Sequence, residues 1–211
     1  MNKPIRTLAA LAALAALASV ALVPVSSHAA NVFQTDVASI TVVGTAGVLR
    51  AGSVWAPAPP QAAVATVFDG VFFPTNTQWN LGAFWWDEQS NPLAANPVSI
   101  EVQLNSVHTI NRFLVQGDDN ESYLVDWWDG AAWQLAYTAG AVFTFGLETR
   151  DSGVIGAVTS DRFRIRASGG DSYYSVSEVQ AIDANSVPEP ATLALLTLAL
   201  GGLGLARRRR R

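Results

Sequence analysis

The chain has 211 residues, half of them hydrophobic, no cysteine, and a net charge of −4 from 13 basic and 17 acidic residues. Lys3, Arg6 and the five arginines 207–211 lie at the ends, so residues 31–186 carry six basic against sixteen acidic residues, about −10, and no lysine. Such a surface repels nucleic acid, which basic patches attract. The missing cysteines exclude a disulfide framework, a thiolate metal site and a cysteine nucleophile.

The first segment reads as an export signal. Lys3 and Arg6 form a charged start, Leu8 to Val23 an Ala/Leu-rich run, and Ser27-His28-Ala29 a small-residue cleavage pattern. Cleavage after Ala29 or Ala30 leaves a chain that begins near Asn31. Residues 1–30 are therefore set aside as a signal peptide, and residues 31–186 are long enough for one domain with a substantial core.

Between Asn31 and Ser186 helical periodicity is scarce and alternation is common. The three prolines in Ala56 to Pro60 mark a loop. Ile100, Val102 and Leu104 alternate with polar residues and face one way. Ile110 to Gln116, Tyr123 to Trp128 and Trp133 to Tyr137 are rich in β-branched and aromatic residues, and Phe163 and Ile165 point inward between Arg162, Arg164 and Arg166. Turn clusters at Gly117-Asp118-Asp119-Asn120, Asp129-Gly130 and Ser168-Gly169-Gly170-Asp171 separate them. Short strands with turns at such intervals predict an all-β antiparallel sandwich. Trp127 and Trp133 sit in strand patterns and are expected in the core.

After the domain come Pro188-Glu189-Pro190, a largely apolar run from Ala191 to Ala206, and the arginines. The prolines hold an extended peptide. Sixteen residues rise roughly 24 Å as a helix, just short of the about 30 Å hydrocarbon core of a bilayer. The arginines belong on the cytoplasmic side. Residues 187–211 resemble the PEP-CTERM sorting signal of Gram-negative bacteria. The resemblance implies transient anchoring in the inner membrane by the C-terminal helix, processing by an exosortase-type enzyme, and delivery to the cell envelope, outer surface or medium.

A second resemblance rests on the order Val67-Phe68-Asp69-Gly70, Thr77-Gln78-Trp79, Ile100 to Leu104, Thr109-Ile110-Asn111-Arg112-Phe113, Tyr123 to Gly130 with Trp133, Arg162 to Ile165, and Tyr174 to Val179. Over about residues 66–183 this is similar to the discoidin, or coagulation-factor C-type, domain, a galactose-binding-like jelly roll that includes many carbohydrate-binding modules. The resemblance implies a structural calcium ion held by Asp69, Thr77 and Glu178. Oxygen-only ligands suit that cation; the plainer reading is a tight Asp-Gly turn and a hydrogen-bonded Glu178. The loop Asp118 to Glu121 lacks the glycine and distal glutamate of an EF-hand and reads as a solvated turn.

For a glycan ligand, Trp85-Trp86 between Gly82-Ala83 and Asp87-Glu88 offer a stacking platform, and Phe72-Phe73 before Pro74 offer apolar spikes. His108 and Arg112 lie where sugar-binding relatives place polar contacts. Arg162, Arg164 and Arg166 share one strand face, where pairing with Glu101 and neighbouring acids is expected. No Gly-x-Ser-x-Gly elbow or His-Glu-x-x-His helix is present, so a non-catalytic role is expected. The reading is an exported, surface-sorted protein that binds carbohydrate or exopolysaccharide; the alternative is a structural surface or matrix protein making protein contacts.

Overall fold

The computed structural model describes residues 30–90 and 97–184. The predicted signal peptide, the Asn91-Pro92 turn, Pro188-Glu189-Pro190, the apolar segment and the arginine tail lie outside the described residues. Among those described, no helix is long and apolar enough to cross a membrane.

One short helix, α1 (Val32–Thr35), precedes eight strands: β1 (Val37–Val43), β2 (Phe84–Asp87), β3 (Ser99–Gly117), β4 (Ser122–Trp128), β5 (Trp133–Ala139), β6 (Glu148–Asp151), β7 (Val158–Ser168) and β8 (Tyr173–Asp183). All the pairings are antiparallel. The nineteen-residue β3 is shared between two layers. Its first part pairs with β1 and β7, which continue through β4 to β5; its last part pairs with β8 and β6, and β8 carries β2. The register slips between Gln103 and His108, and that irregularity is the corner where one strand changes sheets.

The predicted alternation holds. Ile100, Val102, Leu104, Phe113, Val115, Tyr123, Val125, Phe163 and Ile165 are all buried in one core. Phe33 stands at its centre, with ring centroids 5.4 Å from Phe68, 5.2 Å from Phe163 and 6.4 Å from Phe113. Trp127 packs against this core as expected. Trp133 does not: it lies half-buried against Trp128 and two arginines.

A second, smaller core joins Trp79, Trp85 and Tyr173, covered by Leu49, Trp55 and Ala58 from the proline-rich loop. That cover corrects the reading of Trp85-Trp86. The pair lies in β2, and alternation sends Trp86 into the main core and Trp85 into the small one, at 0% and 1% exposure. Neither indole presents a face to a ligand.

Candidate functional site

The connections β3–β4, β5–β6 and β7–β8 gather at one end of the sandwich, because β3 ends beside the starts of β6 and β8 and β7 ends beside the start of β4. They frame a cleft of about 180 Å³. Trp55, Trp79 and Phe145 supply its aromatic lining; Gln78, Asp118, Asp119, Asn120 and Asp171 supply polar groups. Trp55 meets Trp79 edge to face at 5.8 Å, and Trp79 meets Trp85 at 5.9 Å, so the accessible indole is braced by a buried stack. The strap bearing Trp55 is tied down by Arg50, which donates to Asp87 and lies 3.9 Å from the centroid of the Tyr173 ring.

Backbone bonds fix the other lip. Val142 and Phe143 donate to the Asp119 carbonyl at 2.8 and 3.2 Å, and Thr77 and Leu147 form a bridge. Gly146 makes that bridge possible: its φ is +63°, and a Cβ there would fall 2.2 Å from the Thr77 carbonyl oxygen. Phe145 is left 53% exposed.

Charge beneath the cleft is unusual. Glu121 is fully buried, Asp118 nearly so, and both interact with Asp171. Burial first, then the neighbouring carboxylates, pushes both carboxyls well above the ordinary acid range. The Arg150 guanidinium, also buried, donates to the carbonyls of Gly117 and Asp118 and fixes the start of this loop. The β3–β4 connection is thus a buried carboxyl cluster under a cleft floor, not the solvated turn its composition suggests.

The residues expected to bind a glycan do not meet here. Besides Trp85 and Trp86, Phe72 and Phe73 are half-buried instead of protruding. Gln116 pins Phe73 by accepting from its amide at 2.8 Å and donating to its carbonyl at 2.9 Å. Arg112 makes a two-pronged pair with Asp151. His108 lies at the β3 corner with Nε2 2.8 Å from Asp36 and Nδ1 2.7 Å from Asp183. The sequence reading missed Trp55 and Phe145; an aromatic in a proline-rich loop and Phe143-x-Phe145 between Gly140 and Gly146 were the available signals.

Ser106, His108 and Asp183 fall into line, with Ser106 Oγ 3.1 Å from Nε2. They do not form a nucleophile and base. The Ser106 hydroxyl donates to Asp36 at 2.6 Å, and Asp36 also faces Nε2. Partial burial draws the imidazole pKa down, but Asp183 and Asp36 outweigh it and raise it above 6.5. The Ser106 hydroxyl, then His108, holds Asp36 down at about 2. The group is an imidazolium clamped between two carboxylates. His108→Ala should destabilise the protein by about 1–2 kcal/mol at pH 6. Its raised pKa means that contribution is complete below pH 6.5 and fades as pH rises through the folded value. Urea titrations at pH 6 and 9 check this: an equal loss at both refutes the charged clamp.

Of the residues implied for calcium, the structure joins two. Glu178 is fully buried on β8; one carboxylate oxygen accepts from the Gly70 amide at 3.1 Å, and the other has no hydrogen-bond partner. Burial pushes its pKa up to about 7, with the Asp69 charge adding to the rise. Asp69 caps its own turn by accepting from the Val71 amide at 2.8 Å. Thr77 donates to the Pro74 carbonyl at 2.6 Å, and no hydrogen bond among the described residues joins it to Glu178. Nor do the described residues contain a cluster of three or more His, Cys, Asp or Glu side chains suited to a metal ion. An orphaned buried carboxylate oxygen has the chemistry a hard cation takes, and it is the one observation at this site that fits such an ion.

Residues 186–211 match the PEP-CTERM protein-sorting motif, a signal for export and surface sorting in bacteria that implies processing by an exosortase. No curated protein matches the sequence. Among solved structures, the fold is similar to the family 32 carbohydrate-binding module of Clostridium perfringens NanJ in complex with galactose, at TM-score 0.46 and 13% identity, covering 72% of this chain and 96% of that one. It is also similar to the family 32 module of Streptococcus pneumoniae EndoD, at TM-score 0.44 and 11% identity, covering 73% and 99%. A third is chitosan-binding module 1 from a Paenibacillus chitosanase/glucanase, at TM-score 0.42 and 19% identity, covering 72% and 98%.

Proposed function

We propose that the chain is an exported, non-catalytic glycan-binding protein of a Gram-negative bacterium, held transiently in the inner membrane by residues 191–206 before its tail is processed. The loop-end cleft takes the sugar. The observation that carries this reading is the pairing, in one cleft, of a braced half-buried indole, Trp55, with exposed Phe145 and the polar groups of Asp119, Asn120 and Asp171. Sugars present an apolar ring face and a fringe of hydroxyls, and such a cleft matches both. Binding by a single shallow cleft is weak, and display of many copies at a surface strengthens it. A structural calcium ion held by Glu178 and Asp69 belongs to the same proposal.

The test is a glycan array probed with the full chain, with and without calcium, followed by Trp55→Ala. Binding to at least one neutral or exopolysaccharide-type glycan, weakened tenfold or more in the variant with an unchanged circular dichroism spectrum, is expected. Absence of glycan binding in both conditions overturns the reading. It would favour the structural alternative, for which exposed Phe143, at 78%, and Val54, at 84%, offer protein-contact surface.

A further inference from the structure

A second groove lies on the outer face of the five-stranded layer, away from the loop cleft. The cleft sits where β4 begins; this face is richest where β4 ends and β5 starts. Pairing registers set side chains in rows across the strands. Ser39 stands opposite Gln103, Gln103 opposite Arg162, and Trp128 opposite Trp133. In the next row Thr41 stands opposite Glu101, Glu101 opposite Arg164, and Arg164 opposite Asp126. A groove of about 230 Å³ runs over them, lined by Ser39, Thr41, Glu101, Gln103, Trp133 and Arg162.

The three arginines of β7 differ in how they are used. Arg164 and Arg166 both donate to Asp126, at 2.7 Å for the shortest contact of each. The expected cross-strand pairing is therefore real, although its acceptor is Asp126 and not Glu101. Arg162 is left over. Among the described residues its guanidinium makes no ion pair and donates no hydrogen bond; it lies 5.0 Å from the ring centroid of Trp128 and 5.5 Å from that of Trp133. Trp128 and Trp133 meet edge to face at 5.4 Å, so the guanidinium is held at a fixed place by two indoles while its donors remain unused.

We infer that this groove is a binding site for a uronic-acid unit of a glycan. A carboxylate matches the planar guanidinium fork, the sugar ring lies along the Trp133 edge of the groove, and Ser39, Thr41 and Gln103 meet ring hydroxyls. The charge balance narrows the class further. The face carries three guanidiniums against the carboxylates of Asp126 and Glu101, an excess of one positive charge in a domain of about −10. That suits a chain with an isolated carboxylate and opposes a densely sulfated one. The site is independent of the cleft and stands or falls without it.

Isothermal titration of the full chain with trigalacturonate and with its fully methyl-esterified form tests the inference. The acid should bind at least tenfold more tightly than the ester, with affinity falling as salt rises. Arg162→Gln should lose tenfold or more, Arg162→Lys should lose part of that because it keeps the charge but not the fork, and Trp55→Ala should bind as the parent does. Four results would overturn it: no binding of the acid, equal binding of acid and ester, full affinity in both Arg162 variants, or loss confined to Trp55→Ala, which would place the acid in the cleft.

Discussion

In a chelator, the protein is expected to become less stable as pH rises from 5 to 9. Carboxyl groups usually gain from ionising in a folded protein; here three of them lose. Glu178, Asp118 and Glu121 all have folded pKa values raised above their unfolded ones, with burial the largest cause. Each therefore binds its proton more tightly when folded, and its stabilisation, complete below the unfolded pKa, fades as pH climbs through the folded value. For Glu178 the window runs from about 4.5 to about 7, a difference worth about 3 kcal/mol. That corresponds to roughly 6–12 °C in melting temperature for a domain of this size. His108 adds to the same fall above pH 6.5. Asp36, Asp87, Asp129 and Asp151 have lowered values and oppose it only in acid, below about pH 4. Melts at pH 5, 7 and 9, with Glu178→Gln beside the parent, measure the effect. The variant should remove Glu178's share of the fall between 5 and 7, leaving the shares of Asp118 and Glu121, which titrate across the same window. Calcium at pH 8 should do the same to the parent and nothing to the variant, because a cation beside the free carboxylate oxygen stabilises the ionised form. A parent whose stability is flat from 5 to 9 in chelator would refute the buried-carboxyl account.

How much of this was legible in the sequence follows from which forces are local. Ile100, Val102 and Leu104 showed their burial because a strand with one buried face writes its period into adjacent residues. The turns at Asp129-Gly130 and Gly169-Gly170 were equally plain; both glycine sites have positive φ. Trp85-Trp86 failed because alternation says only that the two point to opposite faces. Whether the outer face is wet depends on Leu49, Trp55 and Ala58, about thirty residues away, folding over it. β6 was invisible for a related reason: four residues, Glu148–Asp151, are too few to show a period, and their partner is the far end of β3.

The site divides in the same way. His108 and Arg112 are polar residues in the expected strand, yet each is consumed by a carboxylate from elsewhere: Asp36 and Asp183 for one, Asp151 for the other. Sequence shows a donor but not whether its acceptor has already been supplied. Arg162 makes the point in reverse. It shares Phe163 as a neighbour with Arg164 and lies two residues nearer the end of β4, where it makes no ion pair with Asp126 and sits beside two indoles.

The largest single loss is expected at Phe33. Its ring is fully buried and touches Phe68, Phe113 and Phe163, so it joins the early loop to both layers. Phe33→Ala should cost about 3–5 kcal/mol and Phe33→Leu clearly less, as measured by urea unfolding of the full chain; a loss below 1 kcal/mol would mean the core closes over the gap. What makes the position informative is how it is held. Asn31 caps α1 by accepting from the Phe33 amide at 3.2 Å, and the same oxygen accepts from the Ala181 amide at 3.1 Å. Ala30 accepts through its carbonyl from the Asp183 amide at 3.2 Å. The plug is thus anchored to the last strand by Ala30 and Asn31, at the predicted cleavage point itself. Cleavage after Ala29 or Ala30 spares Asn31 and the ring. Removing residues 31–33 as well would take away cap, anchor and plug together, and should cost at least as much as Phe33→Ala. Core packing therefore requires residues 31–33 to be retained, and any processing of the preceding segment is compatible with the sandwich only if it leaves them in place.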